Sequence, residues 1–209
     1  MPPRVLLVDN HDSYTGNLLQ LLWQLTGDRP DIVESDAMRV RSLAGSDYTH
    51  IVLGPGPGSP TNSADVGRTY DLIRATRVPI LGVCFGMQTI AAALGARIER
   101  LDHPAHGRVS TLKHNSTGLF TGLDATSVER YHSLHVPEPL PAPLAATAHA
   151  DDGTLMALEA ETLALWGVQF HPESIGTADG IRMLQSFLTF EANADRRALH
   201  SPDALTTEP

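Results

Sequence analysis

Pro79-Ile80-Leu81-Gly82-Val83-Cys84-Phe85-Gly86-Met87-Gln88-Thr89-Ile90-Ala91-Ala92-Ala93-Leu94-Gly95 is the stretch on which the fold turns. Residues 79–83 form a short, continuous apolar run, the pattern of a strand covered on both faces of a parallel sheet. Residues 86–94 read as a helix, and Gly95 ends it. Only two residues, Cys84 and Phe85, separate the two. A strand that passes into a helix through Gly-x-Cys-x-Gly has the form of a nucleophile elbow, with cysteine where hydrolases often carry serine. Glycines suit the sharp turn, because neighbouring chain comes too close for a Cβ. The turn lifts the sulfur above the carboxyl ends of the strands, where open α/β sheets bind ligands, and the helix N-terminus favours thiolate over thiol. A buried small hydrophobe in a glycine-bounded turn is the other reading of the same residues.

Upstream, the same alternation repeats. Residues 4–9 (RVLLVD) read as a buried strand. Asp12 or Ser13 can cap a following helix, Leu18, Leu21, Leu22 and Leu25 fall at helical spacing, and Gly27 is its stop. Leu18, Leu22 and Trp23 are expected in the core. Strands follow at 32–34 and 49–53, then the loop GPGPGSP at 54–60 and a helix at 64–77. Downstream, the short runs 108–112, 127–131, 144–148, 155–159 and 163–168 are split by Gly, Pro and Asp and predict hairpins or an extension of a mixed sheet. A last helix is expected over 180–190. The resulting fold class is α/β, an open, mostly parallel sheet with helices on both faces and a small additional antiparallel sheet. One domain over 1–190 and a polar, flexible C-terminal tail over 191–209 complete the expected organisation.

Composition narrows the function. The chain has 209 residues, 42% of them apolar and 19% charged, enough for one domain with a real core. Its formal net charge is −9 and its basic residues are scattered, which argues against a nucleic-acid or anionic-membrane surface. There is one cysteine, so no internal disulfide can form. The N-terminus does not read as a signal peptide and no stretch approaches a membrane span, so a cytoplasmic location is expected. His103, His106 and His114 share a segment, but their spacing matches no zinc pattern and no metal site is expected.

Two more segments carry chemistry. In Trp166-Gly167-Val168-Gln169-Phe170-His171-Pro172-Glu173-Ser174 a strand ends in a histidine with an acid two positions on. A thiol nucleophile needs an imidazole to take its proton, and the imidazole needs an acceptor to hold its tautomer; His171 and Glu173 supply both if they reach Cys84. Pro55-Gly56-Pro57-Gly58 offers backbone N–H groups with no side chains in the way, suited to a tetrahedral oxyanion, or is simply a rigid turn. It lacks the ending of a phosphate-binding loop.

In this order and at these separations, the three segments resemble class I glutamine amidotransferase domains, over the chain up to about Phe190. The resemblance is nearest to the small subunits of anthranilate synthase and aminodeoxychorismate synthase. It rests on VDNHDSYTGNLLQLL at 8–22, the GPGPGSP loop, Arg130-Tyr131-His132-Ser133-Leu134 and Gly167 to Ser174. The run Leu165 to Val168 inclines it to the aminodeoxychorismate type. The resemblance implies that Cys84 attacks the side-chain amide of L-glutamine, that His171 is base and then acid, and that Glu173 orients it. It implies an oxyanion hole from the N–H groups of Gly58 and Phe85, and glutamine held by Gln88, Ser133, Leu134 and the loop Gly56-Pro57-Gly58. It further implies that the partner is a chorismate-binding synthase subunit, with Mg²⁺ on that partner and no cofactor in this chain. Phe85 and Met87 depart from the Leu and His usual at these places, and Met87 puts tuning of the site or of the partner contact in question. Two alternatives stand beside this: a silent regulatory or binding subunit of the same fold, and a stand-alone γ-glutamyl hydrolase or cysteine peptidase. The first would not be trapped by an electrophilic glutamine analogue; the second would turn over without a partner.

Overall fold

A computed structural model describes residues 2–44 and 46–191. Nine strands join in one sheet: β1 (Val5–Asp9), β2 (Asp31–Glu34), β3 (His50–Leu53), β4 (Ile80–Val83), β5 (Glu99–His114), β6 (Thr126–His135), β7 (Ala145–Ala150), β8 (Leu155–Ala160) and β9 (Leu165–Val168). Their order is β2-β1-β3-β4-β9-β8-β7-β5-β6. From β2 to β9 every pair is parallel; from β9 to β6 every pair is antiparallel. The antiparallel strands therefore extend the main sheet, one of the two arrangements that their sequence predicts, and the additional antiparallel part is continuous with the parallel one. β9 is the reason, since it pairs in parallel with β4 on one side and antiparallel with β8 on the other.

Helices α1 (Thr15–Thr26), α2 (Val40–Ala44), α3 (Ser63–Val66), α4 (Thr69–Ala75), α5 (Phe85–Ala93) and α6 (Gly180–Phe187) cover the parallel half. Alternation along the strands divides the core into two clusters. Val5, Leu7, Val52, Leu81 and Val83 pack with Leu18 and Leu22 of α1 and Met183, Leu184 and Phe187 of α6. Leu6, Val8, Ile51, Leu53 and Ile80 pack with Leu72 and Ile73 of α4 and Met87, Ile90 and Ala91 of α5. Burial of apolar surface on both faces is what a parallel sheet needs.

Several local expectations shift. α1 ends at Gly27, in the left-handed region at φ 78°, as its sequence predicts. Its start is held by an Asx turn, in which Tyr14 N–H donates to Asp12 Oδ1 at 2.7 Å, with no side-chain cap on the first turn itself. Trp23, expected in the core, is 46% exposed, on the outer side of α1. The single helix predicted over 64–77 is broken in two at Gly67, whose φ is 58° and whose Cβ would lie 2.5 Å from the Ser35 carbonyl oxygen. α2 was not foreseen, and β5 is far longer than the five residues expected, because bulges near 100–108 let it bend without leaving the sheet. α6 stops at Phe187 rather than at 190. The polar tail expected over 191–209 lies, after Glu191, outside the described residues. Among the described residues no helix is long and apolar enough to cross a membrane.

Candidate active site

Four loops leave the carboxyl ends of adjacent parallel strands β1, β3, β4 and β9, next to the point where the strand order reverses, and they meet over one cleft of about 430 Å³. Its lining includes Tyr14, Gly56, Pro57, Gly58, Cys84, Gln88, Ser133, Leu134 and His171. Eight of these nine are residues singled out in the sequence. They converge because Gly82 and Val83 of β4 stand in register with Gly167 and Val168 of β9. Cys84 is then one residue past its strand and His171 three past the neighbouring one.

The elbow is strained where chemistry would need it. Cys84 has φ 53° and ψ −105°, its N–H donates to Val168 O at 2.8 Å, and α5 starts immediately after it. Such a backbone costs roughly 1–3 kcal/mol and persists only where the surroundings impose it. They do: a Cβ on Gly82 would fall 2.4 Å from the carbonyl of Gly86, and one on Gly86 would fall 2.2 Å from Leu53 O. Phe85 does not line the cleft. Its ring is buried under Gly56, and its N–H, first in α5, has no partner within the helix. Gly56 itself is pressed on Asn10, where a Cβ would come within 2.6 Å of another, and Gly58 holds φ 83° against Asp65. Asn10 Nδ2 donates to Gly54 O at 2.8 Å and pins this loop from below.

His171 and Glu173 form a closed pair. His171 Nδ1 lies 2.7 Å from Glu173 Oε1, with the two side chains 3% and 0% exposed. Nε2 is buried without an aligned hydrogen-bond partner and is the nitrogen left for the sulfur. Burial opposes protonation of this ring, but the hydrogen bonds and charges of Cys84 and Glu173 outweigh it and push its pKa up to about 10. The protonated imidazole is the state such surroundings favour. Tyr14 and Tyr131 stand against the imidazole, with ring centroids at 5.3 and 5.5 Å. Tyr131 O–H donates to Glu129 Oε1 at 2.6 Å, and Glu129 Oε2 also accepts from Ser174 Oγ and from Gly176 N. Glu129 thereby ties the Tyr131 strand to the loop that follows Glu173.

The stretch of β6 that lines the cleft is held from behind. Arg130 is 1% exposed and donates to Asp152, Ser110, Thr154 and His132 Nε2. His132 in turn meets Leu134 O at 2.9 Å. Burial, ahead of any charge, pushes the His132 pKa down to about 4, so the ring is neutral and shapes the stretch. Met87 takes no part in the cleft: it is 0% exposed, in the apolar cluster with Ile90 and Leu158, against Gly167. Asp12, which the sequence offers as a cap of α1, also lines the cleft. Tyr14, Tyr131, Glu129 and Gln169 stand within or beside the sequence motifs without a part of their own there; nothing local marks them, since their neighbours arrive from distant segments. Among the described residues no cluster of three or more His, Cys, Asp or Glu could hold a metal ion.

Known proteins are similar to this chain in sequence and in fold. The chain is 50% identical over 185 residues to an aminodeoxychorismate synthase of Streptomyces griseus, covering 88% of this chain and 25% of that protein. This chain thus spans about a quarter of that relative's length. It is 40% identical over 190 residues to anthranilate synthase component 2 of Mycobacterium tuberculosis, covering 89% of this chain and 82% of the relative. A crystal structure of a Thermoplasma acidophilum protein, described as one of the subunits of a GMP synthase, superposes with a TM-score of 0.81 at 25% identity, over 90% of this chain and 93% of that one. The family model described as "Glutamine amidotransferase class-I" matches residues 6–190, from the first strand to just beyond the last helix. With the Cys84 elbow, His171, Glu173 and the glycine loop all inside that span, the chain belongs to the class I glutamine amidotransferase family.

Proposed function

We propose that this chain hydrolyses L-glutamine and delivers the ammonia to a synthase that aminates chorismate, yielding aminodeoxychorismate. One observation carries the chemistry: Cys84 and His171 share a cleft in which Glu173 already holds Nδ1 of the imidazole at 2.7 Å. In the first step the Cys84 sulfur attacks the side-chain carbonyl of glutamine, and the negative charge falls on its oxygen. The N–H groups of Gly58 and Phe85 receive that oxyanion. His171, protonated by the thiol, gives its proton to the leaving nitrogen; the C–N bond breaks, ammonia leaves, and a γ-glutamyl thioester remains. Water, deprotonated by His171, then attacks the thioester, and glutamate departs as the sulfur recovers its proton. Glu173 keeps the imidazole oriented and offsets its charge. Gln88, Ser133 and Leu134, with Gly56, Pro57 and Gly58, hold the substrate. This sequence of steps draws on no cofactor in this chain; Mg²⁺ belongs to the partner's chorismate chemistry.

The acceptor rests on kinship rather than on the cleft, since any glutamine-dependent synthase needs the same ammonia. Support for the aminodeoxychorismate branch is the higher identity to the Streptomyces griseus relative than to the anthranilate synthase component. The alternative of a silent, non-catalytic role loses its one hint, because Met87 is a core residue away from the cleft.

The test is glutamate release from glutamine, by the chain alone and with a chorismate-aminating synthase of either type, with the aminated product followed by fluorescence. Stimulation by the aminodeoxychorismate-forming synthase, lost in Cys84→Ala, is the expected result. Stimulation by the anthranilate-forming partner alone would move the acceptor, and unaltered turnover in Cys84→Ala would remove the mechanism.

A further inference from the structure

We propose that Gln169 is a catalytic residue that donates a hydrogen bond to the Cys84 thiolate, and that Gln88 is the positioning residue that forces the Gln169 amide to present its nitrogen. Gln169 is fully buried at the end of β9, and its Nε2 lies 3.5 Å from Cys84 Sγ. At that site an amide could turn either face to the sulfur. Its N–H₂ end would stabilise a thiolate, and its carbonyl end would repel one.

The neighbouring hydrogen bonds leave one choice. Arg130 Nε meets His132 Nε2 at 3.1 Å, and a guanidinium only donates, so the imidazole accepts there and carries its proton on Nδ1. Nδ1 donates to Leu134 O at 2.9 Å. The same carbonyl takes a second hydrogen bond from Gln88 at 3.0 Å, and because a carbonyl only accepts, the Gln88 atom there is Nε2. The other N–H of that nitrogen meets Gln169 at 3.0 Å, so the Gln169 atom is Oε1. What remains of Gln169 to face the sulfur is its nitrogen. Each polarity follows from the last, from Leu134 O to Sγ.

The arrangement also accounts for two buried amides in an otherwise apolar strand–helix seam. Gln88 is 3% exposed and Gln169 0%, and each has its nitrogen committed. Cys84 Sγ is left with this donor, the Tyr131 carbonyl at 3.9 Å and the imidazole. The titratable groups facing it are His171 and Glu173 after β9, Tyr131 and His132 on β6, His106 on β5, and Asp12 and Tyr14 after β1. Neither glutamine substitution removes any of them.

The inference rests on Cys84 being the nucleophile, and its test needs no glutamine. Cys84 is the chain's only cysteine, so alkylation of the full chain by iodoacetamide, followed by mass across pH 5–10, reads its thiolate alone. One hydrogen bond to an anion is worth about tenfold in the thiolate fraction, so Gln169→Leu is expected to raise the alkylation midpoint by roughly one pH unit. Gln169→Glu, which sets a carboxylate against the sulfur, is expected to raise it further. In glutamine turnover Gln169→Leu is expected to lower kcat about tenfold with KM little changed. Gln88→Met leaves Gln169 in place and releases its polarity; because Gln88 also helps to hold glutamine, this variant is read by alkylation alone, where a shift of the same sign and smaller size is expected, and it carries the test should Gln169→Leu not fold. Midpoints equal to wild type in the folded variants would overturn the proposal even if turnover falls. Cys84-dependent turnover with an unshifted midpoint would sink this inference alone, and a shifted midpoint with no turnover beside either synthase would sink the glutaminase assignment alone.

Discussion

At the scale of single residues, the site is defined by who is buried with whom. Glu173→Gln keeps the shape of the pair with His171 but lets the imidazole take the wrong tautomer. We expect kcat to fall by about 10²–10⁴-fold with the fold intact, measured as glutamate release beside unchanged thermal unfolding. His132 makes a different kind of prediction. Folded, it stays neutral down to about pH 4; unfolded, it takes up its proton near the ordinary value of 6.5. Between those two values the unfolded state binds more protons, so stability present above pH 6.5 is lost as pH falls toward 4. The loss is on the order of a few kcal/mol, and His132→Gln should flatten that part of the urea-denaturation midpoint against pH. Cys84, His171 and Glu173 were legible because their chemistry leaves short, ordered traces in the chain. Gln169 was not, since its meaning comes from Gln88 and Leu134, which lie 81 and 35 positions away in the sequence and meet it only across a sheet.

At the scale of elements, α5 shows why a departure from a family pattern need not touch function. Met87 fills the space above Gly167, where a Cβ on the glycine would lie 2.7 Å from its Cγ. Met87→Ala should cost about 2–5 kcal/mol in denaturant unfolding and leave the Cys84 alkylation rate unchanged. Gly27, the stop of α1, has open space around its missing Cβ, so Gly27→Ala should cost only about 1 kcal/mol, the strain of φ 78° in a residue with a side chain. Gly58→Ala combines that strain with a collision on Asp65 beside the cleft, and we expect it to abolish turnover more than it unfolds the chain. Helix ends and strand cores were readable from periodicity, because α1 and α5 show their apolar faces openly. The break at Gly67 was not, because glycine inside a helical pattern says nothing of the Ser35 carbonyl that fills its place.

At the scale of the whole molecule, the parallel half follows from alternation alone, and the strand-like runs of the second half were seen individually. Extension of the mixed sheet was one of two readings of these runs, and the order of joining was open. No local pattern says that β9 inserts between β4 and β8, and that single insertion makes the antiparallel strands continue the parallel ones. The same insertion sets the expected behaviour of a complex. The four loops stand at one end of the sheet, and on the proposed function that is the end a synthase has to approach to reach the cleft. We expect mixing with the aminodeoxychorismate-forming synthase to raise glutamine turnover several-fold and to slow alkylation of Cys84, measured by mass against the free chain.

The seat of β9 in the middle of the sheet has a further meaning during synthesis. The elbow leaves the ribosome early and the histidine late, with the antiparallel strands and their turns made between them. Until β9 has been made, the place between β4 and β8 is vacant. The sulfur of Cys84 is then without the imidazole of His171, which follows β9 by three residues. One strand both closes the sheet and brings the two side chains into one cleft.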